Sequence, residues 1–167
     1  AVLEHFNFTF QVSSKDRARI PDQRRVLIVA NHPLGSLDGL ALLKLVSEIR
    51  TDVKIVATTL LNCIDPLKGL FLSVDNLAKS AHHRDSMNQI VQALESEQAV
   101  ILFPTGEVSR ISPLGVRDGK WKTGFLSLAK KTKAPIVPVY IGGKNSSLFY
   151  GLSSIYPPLG TMMLVNE

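Results

Sequence analysis

The sequence predicts a single α/β domain in which helices flank a mixed, largely parallel sheet. Short apolar runs of strand length recur along the chain, helical patterns separate them, and no shift in composition divides the chain. Strands that alternate with helices favour a parallel sheet, because each parallel connection needs a long crossover. The 167 residues are enough to bury one sizeable core. We expect one domain over residues 1–167, and, from its ends, a piece of a longer protein.

The first predicted elements precede residue 58. Alternation of apolar and polar residues predicts a half-buried strand at Phe6, Phe8, Phe10 and Val12. The polar residues 13–25 are expected to form a loop. A continuous apolar run predicts a buried strand at Val26–Ala30, and a helix is expected over residues 38–49. Val53–Ala57 is expected to form a second, short strand.

The middle of the chain predicts a strand and an amphipathic helix. Residues 58–74 are apolar but interrupted at Pro66, so we expect a helix, a turn and a short strand near residues 71–74. Helical spacing of apolar residues follows at Met87, Ile90, Val91 and Leu94. Asp85 is available as the N-cap of that helix.

The last predicted elements are two strands with a helix between them. Residues 99–103 form a buried apolar run, and a helical pattern follows at Phe125, Leu128, Ala129 and Thr132. A final strand is expected over residues 136–141. Pro138 restricts it to a sheet edge or a strand end, because proline has no N–H to donate to a ladder.

The charge distribution favours an anionic partner. The net charge is +5, but the segment from Arg110 to Lys133 contains seven basic residues and one acid, Asp118, and so carries +6 by itself. This segment could face phosphates of a cofactor, of a lipid headgroup or of nucleic acid. Only Trp121 and Phe125 are aromatic there, so a base-stacking surface is weakly supported and we expect no nucleic acid.

Several other classes of protein find little support. Cys63 is the only cysteine, which excludes an internal disulfide and fits a reducing compartment. No run reaches the roughly 18 apolar residues of a membrane span. The adjacent His82 and His83 have no third ligand at suitable spacing, so we expect no metal.

The segment with the clearest chemical content is the turn after the first buried strand. Residues 31–39 read Asn-His-Pro-Leu-Gly-Ser-Leu-Asp-Gly and lead from that strand into a helix. A histidine oriented by a carboxylate is a common general base near neutral pH. We predict that His32 deprotonates a hydroxyl and that Asp38 orients its imidazole. The alternative is that Asp38 only caps the helix and His32 is an ordinary loop residue.

A second turn of the same kind follows the strand at residues 99–103. It reads Phe103-Pro104-Thr105-Gly106-Glu107-Val108-Ser109-Arg110. Its glycine lets the backbone approach a ligand, and Arg110 offers a planar fork for phosphate or carboxylate. The alternative is a solvated turn with a surface pair between Glu107 and Arg110.

Together these residues resemble the glycerolipid (PlsC-like) lysophospholipid acyltransferase superfamily, which shows N-H-x-x-x-x-D, G-x-x-F, F-P-E-G-T-R and V-P-V blocks in that order. The matching segments are Asn31-His32 with Asp38, Gly69 with Phe71 or Leu72, Phe103-Pro104-Thr105-Gly106 and Ile136-Val137-Pro138-Val139. Trp121-Lys122-Thr123-Gly124 resembles an aromatic-Lys-x-Gly segment found after the third block in many members. The resemblance covers residues 26–141.

The chain departs from that pattern in the first and third blocks. Five residues instead of four separate His32 from Asp38, and Thr105 stands in place of the usual glutamate, with Glu107 two positions later. Arg110 likewise follows the usual arginine position by two. These changes weigh against a glycerol-3-phosphate-type acceptor. This variant resembles the hemolysin-named branch, whose members are similar to bacterial acyltransferases that make ornithine-type or other aminolipids.

The resemblance implies direct acyl transfer without an acyl-enzyme. A hydroxyl of a lysophospholipid or lyso-aminolipid, deprotonated by His32 beside Asp38, would attack the thioester of acyl-CoA or acyl carrier protein. Glu107 and Arg110 would bind the polar group of the acceptor, and the lysines would lie near phosphates of the donor or membrane. The expected substrate-binding residues are Thr105, Gly106, Glu107, Arg110, Lys120 and Lys122.

The same resemblance implies no bound cofactor and no metal, with acyl-CoA or acyl carrier protein as co-substrate. The expected partners are a membrane lipid acceptor and an anionic membrane surface, on the cytoplasmic, inner face of the cell membrane. Two alternatives stay open on the same fold. One is a catalytically inactive module that binds lipid or acyl carrier, and the other is a thioesterase-like hydrolase in which His32 activates water.

Overall fold

The structure, a computed structural model, describes residues 8–57, 69–73, 80–113 and 115–145. The helices in these ranges are α1 (Ser14–Arg17), α2 (Ser36–Ser47), α3 (Ser80–Glu95) and α4 (Gly124–Thr132). The strands are β1 (Val26–Ala30), β2 (Val53–Ala57), β3 (Phe71–Ser73), β4 (Ala99–Leu102), β5 (Arg110–Ser112), β6 (Gly115–Arg117) and β7 (Ile136–Val139).

Five strands form one sheet in the order β3-β2-β4-β1-β7, and all of the pairings described are parallel. This arrangement confirms the predicted α/β class with a parallel sheet and flanking helices. Strand β1 lies between β4 and β7, with Ile28 paired to Ile101 on one side and to Val137 on the other. Because neighbouring parallel strands end at the same edge, the segments after β1 and β4 emerge side by side.

The sheet carries a core on each face. Alternate residues of β1 point to opposite sides, so Ile28 packs in the cluster with α2, whereas Leu27 packs in the cluster with α3 and α4. Every residue of β1 is buried, which explains why the strand reads as a continuous apolar run. Burying one such side chain contributes about 1.5–3 kcal/mol relative to leaving it exposed.

The N-terminal segment differs from its prediction. Residues 8–13 form no strand, although Phe10 packs against the core cluster. The expected loop contains helix α1. Ser13 caps the N-terminus of this helix, because its Oγ accepts the backbone N–H of Asp16 at 3.0 Å. Phe10 therefore packs against the core without belonging to a strand, whereas Val12 is exposed.

The helix boundaries also shift toward the N-terminus. Helix α2 begins at Ser36, two residues before the predicted start, and α3 begins at Ser80, so Asp85 is not its N-cap. The helix expected in the apolar segment before residue 69 lies outside the described residues. None of the helices in the described ranges is long and apolar enough to cross a bilayer.

Two strands at the edges of the sheet agree with their predictions. Strand β3 occupies Phe71–Ser73 and lies at one edge. Strand β7 lies at the other edge, with Pro138 opposite Val29 of β1. An edge position tolerates proline because only one side of the strand has to supply ladder hydrogen bonds.

A hairpin that the sequence did not predict lies within the basic segment. Strands β5 and β6 pair antiparallel, with Ile111 opposite Val116 as their apolar pair. Each strand has only three residues, too few to show an alternating pattern, so the sequence contains no periodic indication of this hairpin. Gly115 has a φ of +97°, a conformation that favours glycine and that lets the chain reverse.

Ion pairs connect the segments at the amino ends of the strands. The guanidinium of Arg50 donates to both carboxylate oxygens of Asp52, at 2.6 and 2.7 Å. This hydrogen-bonded pair lowers the pKa of Asp52 below its ordinary value, against the opposing effect of partial burial. The pKa of Glu97 is lowered in the same way by its hydrogen bonds from Arg25.

We expect the ion pair between Arg50 and Asp52 to stabilise the fold less at acidic pH than at neutral pH. Because the folded pKa is depressed, the contribution is complete above the pKa of the unfolded chain and is lost as the pH falls through the folded pKa. The difference in Tm between wild type and Asp52→Asn should therefore be largest near neutral pH and shrink in acid. Thermal unfolding from about pH 7 to about pH 2 measures it, and a difference independent of pH would contradict the assignment.

Candidate active site

The two turns predicted to carry the chemistry meet at the carboxyl edge of the sheet. One follows β1 and the other follows β4, and these strands are neighbours. The backbone N–H of Ser109 donates to the carbonyl of His32 at 2.8 Å, which joins the two turns directly. In open parallel sheets, ligands bind at this edge, outside the carboxyl ends of the strands.

The structure brings His32 and Asp38 together. Nδ1 of His32 lies 3.2 Å from Oδ2 of Asp38, whose side chain is completely buried. The direction of approach does not satisfy a hydrogen bond, and Nδ1 is a buried atom with no partner among the described residues. The close approach is therefore a charge contact, and the hydrogen bond that would fix the imidazole is not formed in this arrangement.

The Asp38 carboxylate also has a structural role. Its Oδ2 accepts the backbone N–H groups of Leu34 at 2.6 Å and of Gly35 at 3.1 Å. Asp38 lies in the first turn of α2, where the helix dipole favours a negative charge. Asp38 therefore stabilises the start of α2, as the alternative interpretation expected, and also lies beside His32.

The shape of the turn depends on Gly35. Its φ of +77° and ψ of −127° belong to a region that is strained for residues with a side chain. This conformation reverses the chain between His32 and α2, so that Asp38 can reach back to the turn.

The imidazole ring of His32 packs against the ring of Phe103. The ring centroids are 4.2 Å apart with an interplanar angle of 26°, a stacked arrangement. The His32 side chain is 18% exposed, and Nδ1 is buried, so the accessible part of the ring lies away from Asp38. The ring is therefore held on two sides and open on another, as a general base requires.

The second turn is organised by Thr105. Its buried hydroxyl donates to the carbonyl of Glu107 at 2.7 Å and accepts the Glu107 N–H at 3.3 Å. This hydroxyl is used within the turn, so Thr105 shapes the turn instead of presenting a free group. Glu107 itself is exposed and its carboxylate faces solvent.

The predicted basic residues surround this turn. A Cβ placed on Gly106, whose φ is +67°, would lie 3.4 Å from the ammonium of Lys122. The backbone N–H of Lys122 donates to the carbonyl of Pro104 at 3.1 Å and holds the segment in place. Lys120 is exposed, and Arg110 begins the β5–β6 hairpin and is half-buried. The binding roles of these residues remain predictions.

A residue that the sequence did not single out as a site residue joins the two turns to the basic segment. Oδ1 of Asp118 accepts the backbone N–H of His32 at 3.1 Å and the hydroxyl of Ser109 at 2.5 Å. Oδ2 accepts the indole N–H of Trp121 at 2.8 Å. Its position as the one acid among seven basic residues was the available indication that this carboxylate has a specific role.

Comparison with known proteins identifies the family of the chain. A family model described as acyltransferase matches residues 2–166. The chain belongs to this acyltransferase family. Two curated relatives, both named lyso-glycine lipid O-acyltransferase, align over 151 residues, or 90% of the chain.

The relative from Bacteroides thetaiotaomicron is 32% identical and the one from Phocaeicola vulgatus is 28% identical. The alignments cover 55% and 53% of these proteins, so the chain spans about half the length of the curated relatives it matches. The matches confirm the resemblance to glycerolipid and lysophospholipid acyltransferases.

In this member of the acyltransferase family, the side chain of Asn31, the residue before His32, is hydrogen-bonded to the backbone of the segment after β7. Asn31 Oδ1 accepts the N–H of Ile141 at 2.6 Å, and Asn31 Nδ2 donates to the carbonyl of Ile141 at 2.8 Å. Asn145 Nδ2 donates to the carbonyl of Pro33 at 2.8 Å. The chain after β7 is thereby tied to both sides of His32.

A pocket of about 370 Å³ adjoins the His32 turn of this acyltransferase-family chain. Its lining includes Asn31, Pro33, Ser109, Asp118, Trp121 and Tyr140. A larger cavity, about 720 Å³, lies at the other end of the sheet among residues such as Arg25, Glu97 and Pro135 that precede the strands. The smaller pocket borders the turn through Asn31 and Pro33, whereas the side chains of His32 and Asp38 do not line it. The candidate site is at the carboxyl edge of the sheet, because His32, Asp38 and the turn after β4 are at that edge.

Proposed function

We propose that this chain carries the catalytic site of an O-acyltransferase that moves a fatty acyl group onto the hydroxyl of a lyso-lipid. The observation that carries the proposal is the placement of His32 beside the buried Asp38 carboxylate, with part of its ring open, in a chain of an acyltransferase family. The donor is an acyl thioester, either acyl-CoA or acyl carrier protein. No bound cofactor is required for this chemistry.

The proposed reaction begins with general-base catalysis. Nε2 of His32 takes the proton of the acceptor hydroxyl while the alkoxide oxygen attacks the thioester carbonyl. The negative charge of Asp38, 3.2 Å from Nδ1, stabilises the imidazolium that forms. The tetrahedral intermediate then collapses, the carbon–sulfur bond breaks, and the thiolate receives the proton from His32. The products are the acylated lipid, a free thiol and neutral histidine.

The acceptor that we propose is a lyso-lipid with an amino-acid headgroup. The names of both relatives specify a lyso-glycine lipid, and a glycine joined through its nitrogen keeps a free carboxylate. Arg110 and Lys122 flank the turn after β4 and supply positive charge for such a group. A guanidinium binds a carboxylate through two parallel hydrogen bonds, which also selects its orientation.

The membrane part of the proposal follows from the same surface. Lys120 and Lys122 are exposed next to the β5–β6 hairpin, on which Ile111 is an exposed apolar residue. Basic residues beside exposed apolar groups bind anionic bilayers through electrostatic attraction and shallow insertion. We propose peripheral attachment to the inner face of the cell membrane, which would give the site access to a lipid acceptor.

One assay tests the proposed function. Release of free thiol from acyl-CoA and from acyl carrier protein is measured for the full-length protein with and without lyso-glycine lipid, and the acylated product is followed by mass spectrometry. Thiol release that depends on the acceptor supports a transferase. Release without an acceptor indicates a thioesterase, and the absence of any release from both donors indicates a binding module.

Replacing Arg110 with alanine should impair the acceptor side of the reaction. We expect the KM for the lyso-lipid to rise about tenfold, the value of one charge-assisted contact, while the KM for the donor changes less than about twofold. Arg84→Ala, which removes an exposed arginine on α3, is the matched control and should leave both constants unchanged. An unaltered acceptor KM in Arg110→Ala would exclude this role.

A further inference from the structure

We infer that Asp118 is a positioning residue for His32, holding the backbone of the general base in place through its carboxylate. The kinetic consequence of this inference rests on the proposed function, whereas the structural part does not. Asp118 touches no reacting atom in the proposed mechanism. It acts through the segments that it joins, and the residue is far from His32 in sequence, 86 positions away.

The Asp118 carboxylate accepts hydrogen bonds from donors in three separate segments. The N–H of His32 comes from the turn after β1, the hydroxyl of Ser109 from the turn after β4, and the indole N–H of Trp121 from the segment before α4. Ser109 is buried, so its hydroxyl depends on this contact for hydrogen bonding. Both predicted catalytic turns are therefore fixed to one side chain.

The backbone of His32 is held at both of its polar groups. Its N–H donates to Asp118 at 3.1 Å, and its carbonyl accepts from the N–H of Ser109, which is itself bonded through its side chain to Asp118. The ring is meanwhile stacked on Phe103 and lies beside Asp38. Because Nδ1 forms no hydrogen bond with Asp38, the backbone contacts matter more for keeping this residue in place than they would if the imidazole were also hydrogen-bonded to Asp38.

A carboxylate suits this position better than an amide. Its two oxygens accept all three donors, whereas asparagine has one accepting oxygen and one N–H₂ group that also donates. In either orientation of an asparagine side chain, its N–H₂ group would face at least one of the three donors and could not accept its hydrogen bond. With its oxygen toward His32 and Ser109, its N–H₂ group faces the indole N–H of Trp121.

The test is Asp118→Asn in the full-length protein, compared with Asp52→Asn. Asp52 accepts from Arg50 at the opposite end of the strands, so the control makes the same chemical change in a structural ion pair. We expect kcat for acyl transfer to fall about 10- to 100-fold in Asp118→Asn with KM values within about twofold, as small misplacement of a catalytic group does. Asp52→Asn should lower Tm and leave kcat unchanged.

Two further measurements separate positioning from general destabilisation. Adding Trp121→Phe removes the indole donor that the asparagine cannot serve, so Asp118→Asn/Trp121→Phe should recover most of the lost kcat. Amide hydrogen exchange at His32, followed by NMR, should be at least about tenfold faster in Asp118→Asn than in wild type and unchanged in Asp52→Asn.

The outcomes are distinguishable from those of the proposed function. If the wild type shows no acyl transfer, the proposed function is wrong. Hydrogen exchange at His32 then decides by itself whether Asp118 holds the His32 backbone. If the wild type is active and Asp118→Asn loses Tm but keeps kcat, or if His32 exchange is unchanged, the positioning role is wrong while the function stands. An Asp118→Asn/Trp121→Phe protein no more active than Asp118→Asn would also contradict the proposed geometry.

Discussion

Replacing His32 with alanine should lower kcat/KM for acyl transfer by about 10²- to 10⁴-fold, the usual contribution of a general base. The physical reason is that no other group is proposed to take the proton of the acceptor hydroxyl. The effect on stability should be small by comparison, because the substitution removes one stacked contact with Phe103, worth about 0.5–1.5 kcal/mol. Steady-state thiol release and thermal unfolding of the same preparations measure the two effects separately.

Asp38→Asn provides a matched comparison for His32→Ala. Asparagine keeps an oxygen for the N–H groups of Leu34 and Gly35 but removes the charge beside Nδ1. We expect its activity loss to be smaller than that of His32→Ala, with donor binding retained in both variants. If His32→Ala kept acceptor-dependent thiol release near the wild-type rate, the proposed mechanism would be wrong.

The second large effect should appear in stability, at Arg50. Its guanidinium is only 5% exposed and donates to Asp52 and to three backbone carbonyls, those of Pro21, Arg24 and Glu97. Arg50→Ala removes a buried side chain together with several charge-assisted hydrogen bonds to partly buried acceptors, so we expect a loss of roughly 3–5 kcal/mol in the free energy of unfolding. That is a large fraction of the roughly 5–15 kcal/mol that stabilises a typical domain.

Arg17→Ala is the control for that measurement. Arg17 forms an ion pair with Glu48 at 2.8 Å, but the two side chains are 38% and 41% exposed. Such surface pairs contribute about 0–1 kcal/mol. Urea denaturation of the two variants should therefore show a much larger shift for Arg50→Ala. Equal shifts would mean that water or other groups replace the hydrogen bonds of Arg50 at no net cost, and would contradict the prediction.

Local patterns predicted the regular elements of the sheet. Strands β1 and β4 are visible as continuous apolar runs because nearly all of their residues are buried. The short strand β2 and the amphipathic part of α3 are also visible, α3 through helical spacing of its apolar residues. The hairpin of β5 and β6 was not predicted, since three-residue strands have no period to detect. Helix α1 was missed because it is one turn with no buried face.

The chemistry of the two turns was predictable to a similar extent. Residue types and their order pointed to His32, Asp38 and the turn after β4, and the structure brings these segments together. The sequence did not indicate that the Thr105 hydroxyl is used within its own turn. It also did not indicate that Arg50, a charged residue, is buried against three carbonyls.

The sequence by itself determined the α/β succession of elements, the membership in an acyltransferase family and the histidine and carboxylate of the first turn. These features depend on neighbouring residues, whose spacing is fixed by the covalent chain. Only the tertiary structure decided that Asp118 meets His32, Ser109 and Trp121, and that the His32–Asp38 contact lacks a hydrogen bond. The contact between Asp118 and His32 depends on strand order, because it joins residues that become neighbours only when β1 and β4 lie side by side. The missing hydrogen bond between His32 and Asp38 depends on side-chain direction, which residue spacing does not fix.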